Sequence, residues 1–171
     1  MRKGYLQVYT GEGKGKTTAA LGLALRASGA GLKVFIGQFI KRRICSEHDA
    51  LKKLDSNIEY RQFGTGFING KVSQTAKGAA AEGLKLSRQV LTSGKYDLVI
   101  LDEINVAVHC GLIDINDVLE MIDSRPTKTE LLLTGRYAHK KVIERADLVT
   151  EMKVIKHYMD NKVRARKGIE Y

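Results

Sequence analysis

Short apolar runs alternate with longer amphipathic stretches from one end of the chain to the other. Leu6-Gln7-Val8-Tyr9 predicts a strand that breaks into a glycine-rich turn, Gly11 to Gly15. From Lys16 onward Ala19, Ala20, Leu23, Ala24 and Ala27 recur at helical spacing, and Gly29 and Gly31 end that helix. Val34-Phe35-Ile36 predicts a second strand, residues 46–54 a short helix, and Ile58 to Gln62 a third strand entered through a turn at Asn57. Ser73 to Ser93 reads as a long helix with a stripe of Ala76, Ala80, Gly83, Ser87 and Leu91, stopped by Gly94. The unbroken run Leu98-Val99-Ile100-Leu101 marks a strand covered on both faces. A helix begun by Asp114 carries Ile115, Val118, Leu119 and Ile122 and stops before Pro126. Leu131-Leu132-Leu133, a helix around Ala138 to Arg145 and a strand around Leu148 to Met152 complete the pattern.

Alternating strands and helices imply a mostly parallel sheet with helices on both faces. No proline- or serine-rich linker divides the pieces, so residues 1–171 read as one α/β domain with a basic tail at 153–171. Such a tail is expected to pack poorly unless a ligand orders it.

Composition supports this picture and adds one constraint. The 171 residues suit a single domain, and the 43% hydrophobic content is enough to build a core. No apolar run approaches the ~20 residues that cross a bilayer, so no membrane association is expected. The first residues enter a strand directly, and the two cysteines, Cys45 and Cys110, form no paired motif. A cytoplasmic location with reduced thiols is the expectation. Charge is the skewed quantity: 29 Lys and Arg against 19 Asp and Glu leave +10, a surface that attracts polyanions without choosing among them.

The chemistry concentrates at Thr10-Gly11-Glu12-Gly13-Lys14-Gly15-Lys16-Thr17-Thr18, between a strand and a helix. Glycines there let successive backbone N–H groups curl around phosphate oxygens, and the helix start adds partial positive charge. Lys16 is placed to reach between phosphates and the Thr17 hydroxyl to ligate Mg²⁺. The usual spacing would put glycine at position 10, where this chain has Thr10. The expected class is thus a P-loop NTPase-like, RecA-like domain. Leu98 to Leu101 ends in Asp102-Glu103, an acidic strand end suited to holding Mg²⁺. The competing reading makes Asp102 a cap of the following helix, and Glu103 reads either as a second metal ligand or as a base that activates water. Leu133-Thr134-Gly135-Arg136 would bring Arg136 to the ligand crevice, with a merely solvated arginine as the alternative. His48, His109, His139 and His157 show no metal-ligand spacing.

Together these stretches resemble the ATP:corrinoid adenosyltransferase family. The resemblance rests on Tyr9 to Ala20, on Gln38-Phe39-Ile40-Lys41, on Gly64-Thr65-Gly66-Phe67 and on Leu101-Asp102-Glu103. It continues through Arg125-Pro126, Thr134-Gly135-Arg136, Val154-Ile155-Lys156-His157 and Lys167-Gly168-Ile169-Glu170-Tyr171, in family order over nearly the whole chain.

The resemblance implies that the cobalt of a reduced corrinoid, cob(I)alamin, attacks C5′ of ATP and expels triphosphate. It implies Gly11, Glu12, Gly13, Lys14, Gly15, Lys16, Thr17, Thr18 and Arg136 as ATP-binding residues, with ATP bound in the sense opposite to ordinary P-loop enzymes. Mg²⁺ would be held by Thr17, Asp102 and Glu103, so that Glu103 serves the metal rather than hydrolysis, and Lys16 and Glu103 would serve catalysis. Phe67 matches an apolar residue that strips the axial ligand from cobalt, with Asn69 beside it in the corrinoid site. A homodimer and an electron-donating flavoprotein or other reductase are implied as partners. Two departures stand out: Ile68-Asn69 replaces a frequent Thr-Trp, and Glu12 replaces a frequent Asn. The amino-terminal segment of longer members does not precede the first strand.

A nucleic-acid-stimulated P-loop ATPase fits the same loop, acidic strand end and net charge, although no aromatic stacking platform accompanies the charge and nucleic acid is not expected as a partner. A small-molecule kinase would need an arginine-rich lid, and the chain offers only Lys41-Arg42-Arg43. A non-catalytic nucleotide sensor also stays open.

Overall fold

The computed structural model describes residues 3–41, 46–54, 57–66 and 72–170, without the side chains of His48 and residues 52–54. Six parallel strands form one sheet: β1 (Leu6–Thr10), β2 (Val34–Gln38), β3 (Ile58–Gln62), β4 (Leu98–Asp102), β5 (Glu130–Thr134) and β6 (Leu148–Glu151). Their order is β3-β2-β4-β5-β1-β6. Thus β5 lies between the strand that enters the glycine loop and the strand that ends in Asp102, pairing with β1 through Leu6↔Leu131 and with β4 through Leu101↔Leu133.

Alternation along the strands sorts the core into two layers. Val99, Leu101, Leu131 and Leu133 face one side, where they meet Leu84 and Leu91 of α3 (Gln74–Thr92), Ala107 of α4 (Ile104–His109) and Met121 of α5 (Ile115–Asp123). Val142 of α6 (Lys140–Arg145) joins the same layer. Leu98, Ile100 and Leu132 face the other side, against Ala20 and Ala24 of α1 (Lys16–Gly29) and Leu51 of α2 (Ser46–Leu54). The central strands are buried from end to end, which is why they carry no polar alternation. Burying each such Leu or Ile is worth about 1.5–3 kcal/mol.

The small-residue stripe of α3 is buried as its spacing predicts, and Ser73 caps the helix by accepting from the Ala76 N–H at 3.1 Å. Asp114 likewise caps α5 through the Asn116 N–H. Two boundaries differ from the pattern by two residues. β2 runs on to Gln38 because that polar side chain is buried within a hydrogen-bond network. α6 begins only at Lys140, since His139 is its cap and accepts from the Lys141 N–H. One helix, α4, is not legible as a separate element; six residues directly after a strand leave too little periodicity to read.

The tail after β6 contains a 3₁₀ turn, Tyr158–Asn161, capped by His157. Ile155 and Met159 are largely exposed, as expected of a poorly packed tail, yet Gly168 to Glu170 return to the glycine loop. Among the described residues no helix is long and apolar enough to cross a membrane.

Candidate functional site

The carboxyl ends of β1, β2, β4 and β5 all reach the same edge of the sheet, and the loops leaving them surround a cleft of about 530 Å³. Gly13 to Thr18 form one wall, Lys41, Glu103 and Arg136 another, and Ser46, Glu47 and Ala50 of α2 border it.

The loop is shaped by contacts with the chain leaving β6. The Gly13 N–H donates to the Met152 carbonyl at 2.7 Å, and a Cβ on Gly11 would stand 2.5 Å from that same oxygen. Gly11 also has φ 94°, which disfavours any other residue. Gly15 enters α1 in the left-handed region, and no side chain caps the helix. Lys16 folds back into the loop, where its Nζ donates to the carbonyls of Gly11 at 2.7 Å and Gly13 at 2.6 Å. Burial pushes the Lys16 ammonium below its ordinary value, against the pull of Glu103. Gly13, Lys14, Gly15, Lys16, Thr17 and Thr18 therefore line the cleft as the motif predicts, while Gly11 contributes through its carbonyl. Glu12 turns aside to pair with Arg136, Oε2 to Nη1 at 3.1 Å, which offsets the charge it would otherwise present to an anion.

Asp102 is the hub. Its Oδ1 accepts from Thr17 Oγ1 at 2.9 Å and from Thr134 Oγ1 at 2.6 Å, and its Oδ2 accepts from Gln38 Nε2 at 2.8 Å. Gln38 Oε1 in turn accepts from the Tyr60 hydroxyl at 2.6 Å. Asp102 is 2% exposed, so these donors replace the water that a buried carboxylate would lack. It does not cap α4: the residue at that position is Glu103, with φ 61° and no side-chain cap bond. Left-handed backbone at a non-glycine residue is uncommon, and here the Glu103 N–H donates to Thr134 Oγ1 at 3.0 Å. The turn places Glu103 at the cleft beside Asp102, and burial first, then the Asp102 charge, push its carboxyl above the ordinary value. Lys41, Lys16 and Arg136 pull the other way.

Arg136 lines the cleft and is not simply solvated. Phe67 and Asn69 lie outside the described residues, as do Arg42, Arg43, Cys45 and Tyr171. The approach to Phe67 is described: the Gly66 N–H donates to the Ile40 carbonyl at 3.1 Å, and a Cβ on Gly64 would stand 2.3 Å from the Ile40 carbonyl carbon. The segment after β3 is thereby held against the segment after β2. His109 stacks on Tyr137, and His139 and His157 serve as caps, so these three have structural partners.

Gln38, Thr134 and the terminal Gly168 to Glu170 lie in stretches that carry the family resemblance, but no role at the site was expected of them. Gln38 and Thr134 were legible in principle as polar residues ending otherwise apolar strands. Nothing local ties Glu170 to the loop, 156 residues away.

The assembly offers a backbone cradle, the cations Lys14, Lys16, Lys41 and Arg136 and the Glu103 carboxylate at one cleft, with Asp102 bonded to Thr17 behind it, which is chemistry for a metal-bound polyphosphate. Residues 2–171 match the family described as ATP:corrinoid adenosyltransferase BtuR/CobO/CobP. A corrinoid adenosyltransferase from Pseudomonas aeruginosa is 36% identical over 99% of this chain and 84% of its own length. Those from Escherichia coli and Salmonella typhimurium are 35% and 33% identical, each over 99% of this chain and 86% of the relative. Among solved structures, the flagellar accessory protein FlaH from Methanocaldococcus jannaschii superposes with a TM-score of 0.61 at 14% identity, over 88% of this chain and 72% of that one. That likeness bears on the fold alone.

Proposed function

The chain belongs to the ATP:corrinoid adenosyltransferase family, and from that premise we propose that it transfers the 5′-deoxyadenosyl group of ATP to the cobalt of a reduced corrinoid and releases triphosphate, in adenosylcobalamin synthesis or salvage. The supporting observation is that the glycine loop, Lys16 and Glu103 line one cleft, with Asp102 bonded to Thr17 directly behind it. Family membership favours this reaction over nucleic-acid-stimulated ATP hydrolysis.

The electrons balance as follows. Cob(I)alamin uses the cobalt electron pair to form the Co–C5′ bond, and cobalt rises formally from the +1 to the +3 state. The C5′–O5′ bond breaks and its pair leaves with the triphosphate. Charge therefore grows on the departing phosphate oxygens, and a preorganised set of donors aimed there lowers the barrier. In this reading the N–H groups of Lys14 to Thr18 and the Lys16 ammonium hold the triphosphate, and Arg136 adds charge from across the cleft. Because no water needs activating, Glu103 acts with Asp102 on the metal side.

Mg²⁺ suits these donors. The Thr17 hydroxyl and the Asp102 and Glu103 carboxylates are hard oxygens. Among the described residues no group of three or more His, Cys, Asp or Glu side chains could hold a cation by itself, so phosphate and water would complete the shell. The ion would neutralise phosphate charge. Phe67 would shield the lower face of the corrinoid, with Asn69 as a polar neighbour where an indole is frequent. A flavoprotein or other reductase supplies the electron that takes cobalt(II) to cobalt(I), and we place the enzyme in the cytoplasm as a homodimer.

An anaerobic mixture of the protein, chemically reduced cobalamin, Mg²⁺ and ATP tests the reading. The corrinoid spectrum should convert to that of the adenosylated form; an unchanged corrinoid with ATP consumed would overturn it.

A further inference from the structure

The end of the tail contacts the glycine loop itself. Glu170 Oε1 accepts from Lys14 Nζ in the glycine loop at 3.0 Å and from the Arg166 guanidinium at 3.2 Å. Its Oε2 accepts from the Arg166 N–H at 2.7 Å. The Tyr158 ring gathers both cations, 5.2 Å from Lys14 Nζ and 4.8 Å from Arg166 Cζ. The Glu170 side chain is only 14% exposed, and Gly168, Ile169 and Glu170 border the same cleft as Gly13 to Thr18.

A carboxylate on the wall of a polyphosphate cleft is an electrostatic conflict. It repels the expected anion and engages one of the two loop lysines. Lys16 donates to neutral carbonyls, whereas Lys14 has a full countercharge. A polyphosphate carries more charge and more acceptor oxygens than one carboxylate, and so makes the stronger partner for an ammonium group. The clasp would re-form on Lys14 when the anion departs, because Arg166 stays bonded to Glu170 and returns to the Tyr158 ring beside Lys14.

We propose that Glu170 is an internal competitor for Lys14: the Glu170–Lys14 clasp and polyphosphate binding exclude each other, so a bound polyphosphate frees the carboxyl-terminal segment and reclosure promotes its release. This rests on the reading of the cleft as a triphosphate site. Glu170 is on this view a positioning residue, acting through Lys14.

The test uses inorganic tripolyphosphate with Mg²⁺ as the probe, titrated calorimetrically into the full chain. Glu170→Gln should lower Kd about fivefold, and in a Lys14→Met background the same change should shift Kd less than twofold. In the unsubstituted protein tripolyphosphate should accelerate tryptic cleavage after Arg164, Arg166 and Lys167. An unchanged or weakened affinity in Glu170→Gln, or protection of those sites by the probe, would overturn the competitor while leaving the cleft reading intact. Failure of tripolyphosphate to bind either protein would overturn both.

Discussion

The Thr17 hydroxyl donates to Asp102 Oδ1 at 2.9 Å, joining the first turn of α1 to the end of β4 across an intervening strand. The same Asp102 oxygen accepts from Thr134 on that strand, β5. Three elements thus converge on one carboxylate, which fixes the spacing between the glycine loop and Glu103. Thr17→Ala should lower turnover about tenfold or more and raise the Mg²⁺ concentration needed for half-maximal rate. Thr17→Ser keeps the hydroxyl and should restore most of both. Steady-state rates over a Mg²⁺ titration check this, and a Ser variant as impaired as Ala would contradict it.

Lys16→Ala removes the cation that the loop carbonyls hold at the cleft. Turnover should fall about 100-fold or more, while far-ultraviolet circular dichroism stays unchanged because the core layers do not include this side chain. Near-normal turnover would contradict the role given to the loop.

Glu103 gives a pH signature. Its carboxyl is pushed above the ordinary value of 4.5 by burial and by Asp102. The folded chain therefore binds that proton more tightly than the unfolded chain does. Its contribution is fully present below the unfolded value and is lost as pH rises through the folded one. Without nucleotide, thermal stability should include a component that declines with rising pH from the mid-4 region, and Glu103→Gln should lack it. Melting temperatures measured across that range check the sign; the same slope in both proteins would contradict it.

Gly64→Ala would press a methyl group to within 2.3 Å of the Ile40 carbonyl carbon. Backbone on both sides leaves little room to yield, so the change should cost about 3 kcal/mol, or a melting temperature lower by roughly 6–12 °C. Differential scanning calorimetry measures it. A shift below 2 °C, about the smallest this size of domain would show for one kcal/mol, would mean the two loops are not held together there.

Phe67→Ala addresses the cobalt side. If Phe67 shields the lower corrinoid face, the substitution should slow the reaction starting from cob(II)alamin with a reductant more than the reaction starting from cob(I)alamin. Equal losses would assign Phe67 to packing.

The alternation of strands and helices was readable because short apolar runs such as Leu98 to Leu101 fit strands covered on both faces of a parallel sheet. That the glycine loop and Glu103 would border one cleft, with Asp102 beside them, was readable because strand ends that carry glycines and acids meet at one edge of a parallel sheet. What was not readable depends on distance in sequence or on a short element. Gln38 and Thr134 acquire their roles only once β2 and β5 flank β4, since both bond the Asp102 carboxylate from neighbouring strands. The Glu103 turn and α4 depend on the Thr134 hydroxyl, a partner from another strand. The tail looked like a basic appendage, and its partly buried Glu170 meets Lys14 only after the chain has crossed the sheet edge.

The most direct measurement is the identity of the phosphorus product. Phosphorus NMR of the anaerobic reaction, run beside quantification of the corrinoid, should find one intact tripolyphosphate for each adenosylated corrinoid. Orthophosphate released with no change in the corrinoid, and increased by added nucleic acid, would contradict adenosyl transfer.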